Sequence, residues 1–173
     1  MPITGLFHVA IKTNDLAVTC AFYERVLGLK QAHRPDFGFP GAWLAVPTPV
    51  GEAVIHVYAG GPVMAAHPGG KVPPDTGAID HLSITAVGWE SFRRRFTEFG
   101  LPWREFVIPG TTYWQQFVYD PSGVQLELTF DGVAEGIPTP DIPEAKRYRP
   151  GDSFFAPAAY ATLAQSASSP QKG

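Results

Sequence analysis

The amino-acid sequence predicts an α+β fold in which two βαβββ modules form a curved mixed sheet around a shared trough. Three observations carry that prediction. A strand-like segment followed by an amphipathic, glycine-terminated helix occurs twice. About three further strand-like segments follow each helix, and a polar side chain of metal-ligand type recurs at matched positions in the two copies.

The first strand is expected over Leu6 to Ile11, rich in strand formers and followed by Thr13, Asn14 and Asp15, which suit a helix start. Residues 16–27 then space Leu16, Cys20, Tyr23 and Leu27 by three or four, and Gly28 supplies the stop. Cys20 on that stripe reads as a small core residue rather than a nucleophile. Later strands of this copy are expected around 30–34, from Ala42 to Val46 and from Ala53 to Tyr58.

The second copy opens with a strand from Ile79 to Thr85, then a helix over 89–99 with Phe92, Phe96 and Phe99 on one face and Gly100 as its stop. His8 precedes Gly28 by 20 residues and His81 precedes Gly100 by 19, which marks the halves as duplicates. The Arg93-Arg94-Arg95 run reads as the wet side of this helix. Strands are expected near Trp103 to Ile108, Thr112 to Tyr119 and Val124 to Phe130. Asp120-Pro121-Ser122-Gly123 is a turn, because Asp accepts local backbone bonds, Pro fixes φ and Gly tolerates a left-handed conformation.

The modules span about 5–60 and 78–130 of a single domain, 1–130, with a Gly/Pro-rich linker over 61–77. Residues 131–173 form a C-terminal arm rich in Pro, then Ala and Ser, with one short helix near 157–165. Phe154 and Phe155 indicate that the arm docks, and the arm favours a homodimer.

At 173 residues, 45% hydrophobic and 17% charged, the chain is of one-domain size with a generous core. A net charge of −3 offers no field for a phosphate backbone, so nucleic acid is not an expected partner. One cysteine gives no disulfide framework, and no apolar run reaches the roughly 20 residues of a membrane span. Without a signal-peptide pattern at the N-terminus, cytoplasmic residence is the default expectation.

Strand alternation puts Phe7, Val9 and Ile11 on one face and His8 on the other. The same parity turns His56, His81 and Glu127 away from the apolar face of their strands. His56 follows His8 by 48 residues and Glu127 follows His81 by 46, so the four groups correspond in pairs. Converging in a trough, three imidazoles and a carboxylate suit one divalent transition metal: Zn, Ni, Co, Mn or Fe(II). His8, His81 and Glu127 already form a two-His, one-carboxylate set, so His56 is either a fourth ligand or a base beside the ion. Trp43, Tyr58, Tyr113, Trp114, Phe117 and Tyr119 border this region as core or as a pocket for an apolar organic substrate. Gln125 shares the parity of Glu127 and is positioned to orient polar substrate atoms. His33 and His67 fall in loops, with His33-Arg34 available to an anionic substrate.

The segments Phe7-His8-Val9-Ala10-Ile11, Asp15-Leu16, Phe22 through Leu29, Ile79 through Ile84 and Tyr119 through Leu128 resemble the vicinal oxygen chelate superfamily over about residues 5–130. That group includes glyoxalase I, methylmalonyl-CoA epimerase, extradiol dioxygenases, fosfomycin thiol transferases and bleomycin-binding proteins. The resemblance implies a glyoxalase-like fold, metal binding at His8, His56, His81 and Glu127, a small substrate chelated through adjacent oxygens, and frequent dimers. A site within one chain and a site completed by two chains are equally compatible with the spacing. Glyoxalase I usually has an acidic residue at the position of His56, and extradiol enzymes place a tyrosine where this chain has Phe117. The reading is therefore lyase or isomerase chemistry with His56 or Glu127 moving a proton. The alternatives are an extradiol-type dioxygenase using Fe(II) or Mn(II), and a metal-free aromatic drug or metabolite binder of the bleomycin-resistance type.

Overall fold

The computed structural model describes residues 8–48, 51–65, 67–161 and 163, and divides into two compact units meeting at Pro73–Pro74. The predicted first strand residues Leu6 and Phe7 lie outside the described residues, as does the whole of the chain beyond Leu163.

In the first unit β1 (His8–Thr13) buries Ile11 and Thr13 and leaves His8, Ala10 and Lys12 exposed, the alternation of a half-buried strand. Asp15 caps α1 (Leu16–Ala21) through its Oδ1, which accepts the Val18 N–H at 3.0 Å. The helix then loosens into a π-type turn over Phe22–Val26, closed by Leu27 N–H to Phe22 C=O and stopped at Gly28 with φ +76°. A π turn adds a residue and rotates the buried face by about 100°. Of the predicted stripe Cys20 and Tyr23 are buried and Leu16 and Leu27 half-buried; within the π turn Phe22 and Val26 are fully buried, Val26 in the place expected of Leu27.

The remaining strands are β2 (Lys30–Ala32), β3 (Gly41–Thr48) and β4 (Gly51–Ala59), in sheet order β1-β4-β3-β2. Strand β1 runs parallel to β4, and the other neighbours are antiparallel. Leu44, Ile55 and Val57 bury the helix-covered face of this sheet, at about 1.5–3 kcal/mol per side chain. A short helix, α2 (Gly61–Met64), and a 3-10 turn at Pro68–Gly70 occupy the predicted linker.

The second unit repeats the plan with β5 (Leu82–Thr85), α3 (Trp89–Glu98), β6 (Trp103–Val107), β7 (Tyr113–Tyr119) and β8 (Gln125–Asp131), in order β5-β8-β7-β6. The pair β5/β8 is parallel and the others are antiparallel, as in the first unit. Residues 79–81, predicted to open the strand, instead lead out of a turn over Thr76–Ile79, in which the Ile79 N–H donates to the Thr76 carbonyl and the Thr76 hydroxyl to the Ile79 carbonyl, and they precede the ladder. His81 therefore stands at the mouth of β5, one residue before the ladder begins.

Trp89 is fully buried and meets Trp114 and Phe130 edge-on at 5.7 and 5.2 Å. The start of α3 is capped from a distance. After β8, the short helix α4 (Gly132–Glu135) brings the Glu135 carboxylate to the N–H groups of Gly88 and Trp89 at 2.7 and 2.8 Å. The Asp120–Gly123 turn forms as predicted, with Asp120 Oδ1 accepting from the N–H groups of Ser122 and Val124. Gly123 has φ +86°, and a Cβ there would lie 2.4 Å from the Pro74 carbonyl oxygen.

The arm lies on its own unit. Tyr148 N–H donates to the Glu105 carbonyl, Phe154 packs on Tyr119, and Tyr160 donates its hydroxyl to the Tyr119 carbonyl. Its predicted helix near 157–165 begins as a 3-10 turn at Pro157–Tyr160, and Ala161 and Leu163 after it are helical. No helix among the described residues is long and apolar enough to cross a membrane.

Candidate functional site

The two sheets carry the same register. Ala10, two residues after His8, pairs with His56, and Ser83, two residues after His81, pairs with Glu127. On the next strand an aromatic ring stands opposite each: Trp43 opposite His56, and Phe117 opposite Glu127. Directly paired residues share a face, so each unit presents one half-site.

In the second unit Glu127 is buried at 7% exposure, yet both carboxylate oxygens are served. Oε1 accepts from Ser83 Oγ at 2.6 Å and Thr129 Oγ1 at 2.7 Å, while Oε2 accepts from Gln115 Nε2 at 2.6 Å. These bonds to a charged acceptor fix its orientation. His81 Nε2 lies 3.4 Å from Oε2, and His81 Nδ1 lies 2.7 Å from Asp80 Oδ1. A carboxylate on Nδ1 holds the proton there and leaves the Nε2 lone pair free, the arrangement that supports a metal-ligating imidazole.

Two donor atoms about 2.1 Å from one ion and 3.4 Å apart subtend roughly 108°, so the separation of this pair is that of two ligands sharing a tetrahedral ion.

The first unit holds its pair differently. His56 lies between two rings, stacked on Trp43 at 4.4 Å with planes 3° apart and on His8 at 4.1 Å with planes 16° apart. Tyr58 places its hydroxyl 3.2 Å from His56 Nδ1. With Nδ1–H donating to the phenol oxygen, Nε2 keeps its lone pair. Burial, then the nearby His8 and the charge of Arg34, push the His56 pKa below its ordinary value, so the ring is neutral at pH 7. Imidazole lone pairs lie in the ring plane, so the stacked His8 and His56 point side by side. For both to ligate one ion, one ring has to turn. Within neither unit do three or more His, Cys, Asp or Glu side chains gather as a metal-holding group among the described residues.

The predicted substrate-binding residues fall into distinct places. Trp43 and Tyr58 surround His56, and Phe117 stands beside His81 with ring centroids 6.0 Å apart. Gln125 lies on the same strand face as Glu127, and Tyr119 is taken up by Phe154 and Phe155. Tyr113 sits at the exposed end of β7 opposite Asp131, and Trp114 faces the core against Trp89.

Several residues were not foreseen. Tyr148 of the arm lies face to face on Phe117, centroids 3.7 Å apart, with its hydroxyl 3.4 Å from Gln125 Nε2. Phe37 and Phe39 flank Trp43 and Tyr58 respectively. Arg93 is not simply solvated: it forms two 2.7 Å bonds to Glu105, whose carboxylate is buried and also receives Gln116 and Trp103. An acidic residue at an inward-facing strand position four residues after the Gly100-Leu101 stop was the available signal for that pair.

A duplicated βαβββ register with ligand-type side chains at matched ladder positions defines a paired-module protein. The chain belongs to the Glyoxalase/Bleomycin resistance protein/Dioxygenase superfamily, whose model matches residues 5–128. It is 27% identical over 134 residues to glyoxylase I 4 of Arabidopsis thaliana, covering 73% of this chain and 70% of that protein. Among solved structures it is similar to the lactoylglutathione lyase of Agrobacterium tumefaciens, with TM-score 0.53, 16% identity, and coverage of 77% of this chain and 98% of the other. It is also similar to a variant of the fosfomycin resistance protein FosX of Listeria monocytogenes, complexed with Mn(II) and 1S,2S-dihydroxypropylphosphonic acid. There the TM-score is 0.58 with 14% identity, covering 79% of this chain and 98% of the other.

Proposed function

We propose that this chain is a divalent-metal-dependent enzyme performing lyase or isomerase chemistry on a small substrate held through two adjacent oxygens. The observation that carries the reading is the His81–Glu127 pair, set 3.4 Å apart with Asp80 behind the imidazole. His8, His81 and Glu127 would hold the ion, with His56 beside it as the base or else as a fourth ligand, within one chain or across a homodimer. When bound, the ion would act as a Lewis acid, orienting the two oxygens and stabilising negative charge that develops on them.

The proton falls to His56. Both oxygens of Glu127 are occupied by three donors, whereas His56 is neutral at pH 7 with Nε2 unengaged among the described residues. A base must be unprotonated and within reach of the proton it takes, and His56 meets the first condition by virtue of its burial. Trp43 and His8 hold the ring in place, and Tyr58 sets its tautomer.

A second reading, ring-cleaving dioxygenase chemistry with Fe(II) or Mn(II), gains support from Tyr148. Phe117 lacks a hydroxyl, and the ring stacked on it supplies one beside Gln125.

The test is to load the purified full chain with Zn, Ni, Co or Mn, and anaerobically with Fe(II). Each form is then assayed with the methylglyoxal–glutathione hemithioacetal and with catechol. Turnover of the first without oxygen uptake is the expected result. Oxygen uptake with catechol alone selects the second reading, and failure to bind any of these metals at micromolar concentration rejects both.

A further inference from the structure

The duplicated register exposes one position where the halves differ. In the second unit Gln115, two residues before Phe117, projects from β7 and donates to the Glu127 carboxylate. The matching position, two residues before Trp43, is Gly41. The room left by its missing side chain is closed by the Val57 carbonyl oxygen, 2.5 Å from where a Cβ would stand, and by Arg34, whose Nε and Nη2 would each lie 3.1 Å from it. Arg34 thus brings hydrogen-bond donors to the place where the other unit uses an amide, but the neighbour here is an imidazole rather than a carboxylate.

The guanidinium is built in rather than loose. Its Cζ lies 4.9 Å from the ring centroids of both Phe37 and Phe39, and Nη2 donates to the Phe39 carbonyl at 3.1 Å. The intervening loop is pinned by Asp36, which accepts the Gly38 N–H at 2.8 Å. Against five N–H donors, that carbonyl is the one acceptor Arg34 meets among the described residues. Its Nε is buried with no partner, and no carboxylate pairs with it among the described residues. An arginine kept only for stability would normally face an acid, since an unserved buried donor costs about 1–3 kcal/mol. Phe37 continues to Trp43, which stacks on His56, so the charge borders the aromatic wall of the half-site.

We infer that Arg34, seated over Gly41 against Phe37 and Phe39, is a receptor for a small oxyanion, a carboxylate or a phosphonate, presented by the ligand of this half-site. The terminal nitrogens of the guanidinium offer the donors, and the two rings wall one side of them. This goes beyond the metal-dependent reading and does not require it.

The test uses the 15N-labelled full chain, stripped of metal and freed of chelator, and follows the Arg34 Nε–Hε resonance, assigned by its loss in R34K. Acetate and methylphosphonate are titrated at constant ionic strength against chloride. A saturable shift with one of them, at millimolar affinity or tighter, is expected, and the tighter of the two identifies the oxyanion. In R34Q binding of that anion, read by calorimetry, should weaken at least about tenfold, and in R34K by less, because a point charge replaces a fork. Circular dichroism confirms that both variants are folded. An Arg34 resonance that neither anion moves beyond the chloride control, or R34Q binding as tightly as the parent, would overturn the inference. Because the titration contains no metal, that outcome would leave the His81–Glu127 reading to stand or fall on its own assay.

Discussion

Nε2 of His81 faces Oε2 of Glu127 at 3.4 Å while its other ring nitrogen faces Asp80, so a carboxylate, an imidazole and a second carboxylate follow one another in line. Each member has a separable effect on metal affinity. H81A and E127A each remove a donor and should abolish micromolar binding of Zn or Mn. D80N keeps both ligands and should weaken binding by about 10- to 100-fold, the usual cost of losing a partner behind a metal-ligating histidine. Calorimetric titration of the three variants with one metal checks the order; D80N binding as the parent does would remove Asp80 from the arrangement.

His56 gives a pH dependence of defined sign. Its pKa is depressed in the folded chain, so below the unfolded reference of about 6.5 the unfolded state takes up a proton that the folded state refuses. The stability linked to His56 is therefore present above about pH 6.5 and is lost as pH falls toward its folded value. Urea denaturation from pH 5 to 8 on the parent and on H56Q should show a steeper acid-side loss in the parent. Histidine ring NMR should place the His56 midpoint below that of an exposed histidine.

Tyr148 separates ring from hydroxyl. Y148F retains the stack on Phe117 and should leave thermal stability within about 0.5 kcal/mol while altering substrate affinity or turnover. Y148A also uncovers Phe117 and should lower stability by about 2–4 kcal/mol, given the half-exposed setting of the ring. Unchanged kinetics in Y148F would confine the residue to packing.

Glu105 is buried against Arg93, so R93A should destabilise by about 3 kcal/mol by leaving a carboxylate without its cation. E105Q, which keeps the shape and hydrogen-bonding capacity, should cost less. Denaturant midpoints of the two variants decide this.

Much of this fold could be read from the letters because strand parity is strict: once a histidine or glutamate alternates with aliphatic neighbours, its face is set. That logic placed His8, His56 and Glu127 on the faces they occupy, and the Asp120–Gly123 turn held the β8 register. Parity could not show the fine geometry of contacts between distant segments. The stack of His8 on His56 depends on side-chain torsions. Which of three consecutive arginines turns inward depends on the rotation of α3, which is set by Trp89 and Phe96. The π turn at Phe22–Val26 put Val26 in the buried place that a 3.6-residue period gives to Leu27, while Cys20 and Tyr23 are buried as that period expects. Tyr148 reaches Phe117 across 31 residues of sequence through a proline-rich segment with no periodicity to read.

The carboxylate of Glu135 has a practical corollary for anyone shortening this chain. Because it neutralises the leading amides of a helix that lies more than thirty residues earlier, a protein ended after the final ladder strand would expose those amides to solvent and strip the cover from Phe117. What resembles a dispensable tail is thus a clasp on the second module, and expression boundaries should be drawn outside it.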